Sequence, residues 1–217
     1  MSLFRRLSDI SRKRKIVLFK NTFQPTEQTK ILDVGAEIDP KGNSTLQFID
    51  LYPWKRRISA INQSEDHIAI IKQVYPEIDS RVGDACALPW CDKYFDIVYS
   101  NAVIEHVGDF EKQKLMAKEI MRVGKAWFIT TPNRWYPFEF HMRLPLVTWL
   151  PGNAYKQVGR IIRYSHLSKR YAFGIRGVTN LRLMTARELR QCFPNSRIVK
   201  LRVTFMAETL IVVGGMF

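Results

Sequence analysis

The sequence predicts an α/β chain: a doubly wound, mostly parallel seven-stranded sheet with an antiparallel last strand and an insert after strand five. Three observations carry this. Five short apolar runs alternate with helical patterns, which calls for a parallel sheet covered on both faces. Polar residues close successive runs (Asp33 with Gly35, Asn62, Asp84 and Asn101), and in a parallel sheet those positions share one edge. Two final strand patterns, Arg197 to Phe205 and Glu208 to Val213, have a connection short enough for antiparallel pairing.

The elements follow in order. Residues 1–29 form a basic N-terminal segment, with Leu3, Leu7 and Ile10 on one helical face and Pro25 at its end. The first strand is Ile31-Leu32-Asp33-Val34, closed by the Gly35 turn. An acid at the tip of a buried strand is costly unless it meets a partner. Residues 36–57 are irregular, with Pro40, Gly42 and Asn43 in a loop and Pro53 preventing one long helix. A second strand spans 58–62, and Ser64, Glu65 and Asp66 then cap a helix that ends before Pro76. A short third strand near 80–82 runs into Gly83-Asp84-Ala85, and the fourth is YFDIVYS, 94–100. Asp109 caps a helix with Leu115, Met116, Ile120 and Met121 facing inward and Gly124 at its C′ position. Residues 126–130 make the fifth strand, closed by Thr131-Pro132-Asn133. An insert at about 134–182 is rich in aromatics and prolines, and basic at Lys169, Arg170, Arg176 and Arg182. Thr185 to Glu188 is a capping box that opens the last helix.

At 217 residues the chain suits one such domain, and 46% hydrophobic residues exclude a disordered chain. No apolar run reaches the length of a membrane span, and Ile16 to Phe19 is too short for a signal-peptide core. Cys86, Cys91 and Cys192 form no metal-type pair, so reduced thiols and a cytoplasmic setting are expected. A net charge of +14 favours polyanions, nucleic acid or the anionic inner face of a membrane, as partners.

Four segments, ILDVGA (31–36), GDACALPW (83–90), YFDIVYSNAVIEHV (94–107) and TTPN (130–133), resemble those of class I S-adenosylmethionine-dependent methyltransferases. The resemblance spans about residues 30–133 and the closing strand pair; it implies a Rossmann-like methyltransferase domain over 30–217, with the insert roofing the acceptor pocket. It implies S-adenosyl-L-methionine as cofactor and gives roles residue by residue. Asp33 and Gly35 line the methionine end, Asn62 holds the ribose, and Asp84 and the Ala85 N–H meet the adenine. Asn101 passes beside the sulfonium. Glu37 and Asp39 stand where the family's loop has its second and third glycines, and Glu37 is a candidate partner of the cofactor's ammonium group.

His106, after the fourth strand, and His141, in the insert, are the candidate catalytic bases, while Glu105 orders the loop. The insert's Trp135, Tyr136, Phe138 and Trp149 suit an apolar roof or a membrane contact. The expected reaction is O-methylation of a small or lipid-linked acceptor, saccharide or quinone-like, as in the similar ubiquinone-type O-methyltransferases. Nucleic acid ranks below that. The plant small-RNA 2′-O-methyltransferases share the EH and TPN pieces, but Ala102 stands at the position of their first metal-binding glutamate, so no metal is expected. A third alternative, a non-catalytic cofactor-binding relative, rests on the altered glycine loop alone.

Overall fold

The computed structural model describes residues 3–38, 47–139, 143–165, 170–173, 181–202 and 205–216. The loop with Asp39, Pro40, Gly42 and Asn43 lies outside the described residues, as do His141, Lys169 and Arg176. The elements in chain order are α1 (Leu3–Phe23), β1 (Ile31–Val34), α2 (Phe48–Leu51), β2 (Ile58–Asn62), α3 (Glu65–Val74), β3 (Asp79–Val82), β4 (Phe95–Asn101), α4 (Phe110–Val123) and β5 (Gly124–Pro132). The insert supplies β6 (Phe138–Glu139), β7 (Leu144–Pro145), α5 (Gly152–Ile161), β8 (Ile162–Ser165) and β9 (Arg170–Phe173). The chain closes with α6 (Ala186–Cys192), β10 (Arg197–Arg202) and β11 (Ala207–Gly215).

One seven-stranded sheet has the order β10-β11-β5-β4-β1-β2-β3. β11 alone runs against its neighbours, pairing antiparallel with both β5 and β10. The expected mostly parallel, doubly wound sheet is therefore what forms. Two-residue periodicity splits its side chains between two cores. Leu32, Val34, Val98, Ile129, Leu210 and Val212 face α4 and α6. Ile31, Ile97, Tyr99, Phe128, Ile211 and Val213 face α1 and α3. Asp33 is in step with Ile31, and its register partners are Ala60 and Tyr99.

The caps form as the sequence implies. Ser64 accepts from the His67 N–H and Asp109 from the Lys112 N–H, each in the first turn of its helix. Thr185 and Glu188 complete a capping box.

In α1 the buried side chains include Ser11, Lys15, Ile16, Phe19 and Phe23, while Ile10 is exposed. Two local expectations fail. In α4, Leu115 is exposed, and Ala117 and Val123 join Met116 and Ile120 in the core. Gly124 is extended, with φ −102°, and opens β5 without an αL cap. A Cβ there would sit 2.6 Å from Val98 Cγ2, so the glycine serves close packing.

Candidate functional site

The carboxyl ends of β1 to β5 meet at one edge, and backbone bonds fix the loops that leave it. The Gly35 N–H donates to Ile61 O at 2.8 Å, and the Gly83 N–H to Asn62 O at 3.0 Å. The Ala102 N–H donates to Thr130 O at 2.9 Å. Gly35 has φ +79°, and a Cβ on it would fall 2.2 Å from Val103 Cγ2. Two loops, after β1 and after β4, therefore touch only because residue 35 lacks a side chain. Ala102 itself holds φ +56°, a strained conformation for a non-glycine residue in a loop leaving this edge.

Asp33 is the unusual group of this edge. It is 5% exposed, and no side-chain hydrogen bond to it is found among the described residues. Burial, with the negative Glu37 nearby, pushes its carboxyl up to about 8. A buried acid with no such bond is a socket for a cation. Its carboxylate offers the acceptor and counter-charge that an α-ammonium or a sulfonium would meet, so the residues present fit S-adenosylmethionine.

The other expected residues lie on the strand ends and loops of the same edge. Glu37 is half-exposed and accepts from Gln47 Nε2 at 2.8 Å, with His67 Nδ1 4.0 Å away. Asp84 is exposed after β3; its Oδ1 accepts from the Cys86 N–H at 2.9 Å and from Gln63 Nε2 at 3.3 Å. Ala85 beside it is buried. Asn101 Oδ1 accepts from Thr130 Oγ1 at 2.7 Å and from Lys15 Nζ at 3.0 Å. His106 is exposed on the 3₁₀ turn Ile104–His106, while Glu105 on the same turn is fully buried and accepts from Thr131 Oγ1 at 3.0 Å.

Asn62 shows why an amide stands at the end of β2. Its Oδ1 accepts from the Ser64 N–H at 2.9 Å, which turns Nδ2 toward Ala36 O at 2.8 Å. A carboxylate would set a second acceptor against that carbonyl. Asn62→Asp should therefore destabilise the first loop by about 1–3 kcal/mol, the cost of a buried group left unpaired. Thermal denaturation checks this; a variant as stable as the parent would remove the Ala36 contact from the account.

The sequence reading did not bring α1 to the site. Its Lys15 is buried against Asn101, and Arg12 bonds Gln47 beside Glu37. No signal separates Lys15 from Arg12, Lys13 and Arg14 in that basic run. Both ends of the insert are tied to this edge. At its end the Arg182 N–H donates to Glu105 O at 2.8 Å, and just before it the Asn133 N–H donates to Glu208 O at 2.8 Å.

The "Methyltransferase domain" family model matches residues 32–126. A probable S-adenosylmethionine-dependent methyltransferase of Mycolicibacterium smegmatis is 32% identical over 79 residues, 36% of this chain and 31% of that protein. This chain thus matches less than a third of the length of its curated relatives. Among solved structures, an S-adenosylmethionine-dependent methyltransferase of Clostridium acetobutylicum superposes with TM-score 0.61 at 10% identity, over 94% of this chain and 90% of that one. Phosphoethanolamine N-methyltransferase 2 of Haemonchus contortus, solved with S-adenosyl-L-methionine, superposes with TM-score 0.54 at 15% identity, over 87% of this chain and 38% of that one. Strand order and the match over residues 32–126 make this chain similar to the class I S-adenosylmethionine-dependent methyltransferases, whose cofactor is S-adenosyl-L-methionine.

Proposed function

We propose that the chain transfers a methyl group from S-adenosylmethionine to an oxygen of a small or lipid-linked acceptor, saccharide or quinone-like. The observation that carries the transfer is Asp33, a buried carboxyl at the carboxyl edge that has no side-chain hydrogen bond among the described residues. The cofactor supplies an electrophilic methyl group on a sulfonium cation. Asp33 balances the positive charge of its methionine end, with Gly35 admitting the β4 loop close by and Glu37 at the rim. Asn62 orders the loops around the ribose, Asp84 and Ala85 hold the adenine, and Asn101 flanks the sulfonium. The protein's main contribution is alignment of the acceptor oxygen with the methyl carbon. Calorimetry with S-adenosylmethionine, followed by a labelled-methyl screen over lipid, saccharide and RNA fractions, tests this. No cofactor binding would sink the enzyme reading, and label entering RNA alone would replace the acceptor class.

The insert supports an acceptor held at a lipid surface. Trp135, Leu146 and Trp149 are each more than half exposed. The two tryptophans are neighbours, since Trp149 Nε1 donates to Trp135 O at 3.1 Å. Amphipathic rings of this kind favour the lipid headgroup region. The +14 net charge adds attraction to anionic lipid, about 1 kcal/mol for each lysine or arginine near the surface. No described helix is long and apolar enough to cross a membrane, so this contact would be peripheral. The expected result is flotation with phosphatidylserine-containing vesicles at low salt, weakened by salt and by Trp149→Ala. Absence of flotation at low salt would leave a soluble acceptor.

A further inference from the structure

We propose that Lys15, carried by the N-terminal helix, is the general base of the reaction. This rests on the methyl-transfer reading above and goes beyond it by assigning the proton. Lys15 stands apart from its neighbours in the basic run. Lys13 and Arg14 are exposed, as lysine and arginine normally are, whereas Lys15 is 9% exposed with its amine inside the carboxyl edge. There Nζ donates to Asn101 Oδ1 at 3.0 Å, and the same oxygen accepts from Thr130 Oγ1 at 2.7 Å. The amine thus sits on Asn101, the last residue of β4, which Thr130 near the end of β5 also holds, where the acceptor oxygen must approach. His106, one of the two bases expected from the sequence, is on the exposed side of its turn.

The charges around Lys15 come from three elements. Arg12 on α1 opposes its protonation, while Glu208 on β11 and Glu105 after β4 favour it. Burial dominates and brings the amine down to about 8. Glu208, bonded to Ser11, is itself raised by burial. A sulfonium beside Asn101 adds a further positive charge and drives Lys15 toward its neutral form, ready to accept a proton. In the transfer, the acceptor oxygen bonds to the methyl carbon while the carbon–sulfur bond breaks and its electron pair stays on sulfur. The hydroxyl proton passes to the Lys15 nitrogen. One positive charge therefore moves from sulfur to Lys15 within the same buried site, where Glu208 and Glu105 face the new ammonium.

Lysine-selective ¹³C NMR of the full chain, with Lys15 assigned through Lys15→Arg, follows the amine directly. With S-adenosylmethionine bound, Lys15 should titrate at lower pH than with S-adenosylhomocysteine, because only the former brings a sulfonium. Identical titrations in the two complexes, or one in the ordinary lysine range, would overturn the proposal. On the fraction that takes up label, Lys15→Arg keeps charge and donor but cannot give up its proton. It should lose roughly 10²–10⁴-fold in turnover while still binding the cofactor. An active Lys15→Arg, or a comparable loss in His106→Ala alone, would transfer the role elsewhere. Failure of the parent protein to bind S-adenosylmethionine is a separate result and counts against the methyl-transfer reading itself.

Discussion

Asp33→Asn should weaken S-adenosylmethionine binding and, at the same time, stabilise the protein without cofactor. The variant keeps the volume of the side chain and removes its charge. Losing one partner of a buried ion pair costs about 2–5 kcal/mol, or roughly 30- to 4,000-fold in affinity. The stability change has the opposite sign. The folded chain holds the Asp33 proton up to about 8, whereas the unfolded chain releases it near the ordinary carboxyl value of 3.8. Between those values the native state binds more protons than the unfolded one. Stability therefore falls as pH rises through this window and levels off above about 8. Asparagine removes that slope. The gain should be absent near pH 4 and reach a few kcal/mol at pH 8, since each unit of pH inside the window is worth up to about 1.4 kcal/mol. For a chain of this size that is several degrees or more in melting temperature. Calorimetric titration and thermal melts at the two pH values read both effects. A folded variant with unchanged affinity, or one less stable at pH 8, would remove Asp33 as the cation socket.

Such a trade between stability and binding is visible in the sequence only in part. The buried run Ile31 to Val34, ending in glycine, marks Asp33 as a costly acid before any coordinates are known. Strand alternation and strong caps make β2, α3, α4 and α6 equally legible, because period and capping chemistry are local. The failures are all tertiary. Leu115 matches an inward stripe by spacing, yet the α4 surface that meets the sheet is set by Met116, Ala117, Ile120 and Val123. In α1 the buried face includes Ser11 and Lys15, so it carries no apolar signature at those turns. Asn62 reads only as a partner of the ribose until Ala36 O is seen to need a donor. Lys15, which bonds Asn101, and Glu208, whose charge acts on it, come from opposite ends of the chain and share nothing in sequence.

The other large effect is expected at Phe19, which decides whether α1 belongs to the site at all. Phe19 is completely buried. Its ring meets Phe48, Tyr99 and Phe128 edge-on at centroid distances of 5.3, 5.8 and 5.6 Å. These three come from α2, β4 and β5, so one side chain pins the helix to the middle of the sheet. Phe19→Ala removes the ring contacts and leaves a cavity, a change that costs about 3–5 kcal/mol in well-packed cores. Against a typical total of about 5–15 kcal/mol, that is enough to lower the melting temperature by roughly 6–20 °C. The second consequence is functional. Lys15 lies one helical turn before Phe19 and Arg12 a further turn away, so loosening the helix withdraws both from Asn101 and Gln47. Phe19→Ala should then lower turnover beyond any loss in cofactor affinity, because Asp33 and Asp84 stay on the sheet edge. Phe19→Leu, which fills most of the cavity, should recover stability and turnover together. A stable Phe19→Ala protein with full activity would show that the sheet alone builds the site and that α1 merely covers its face.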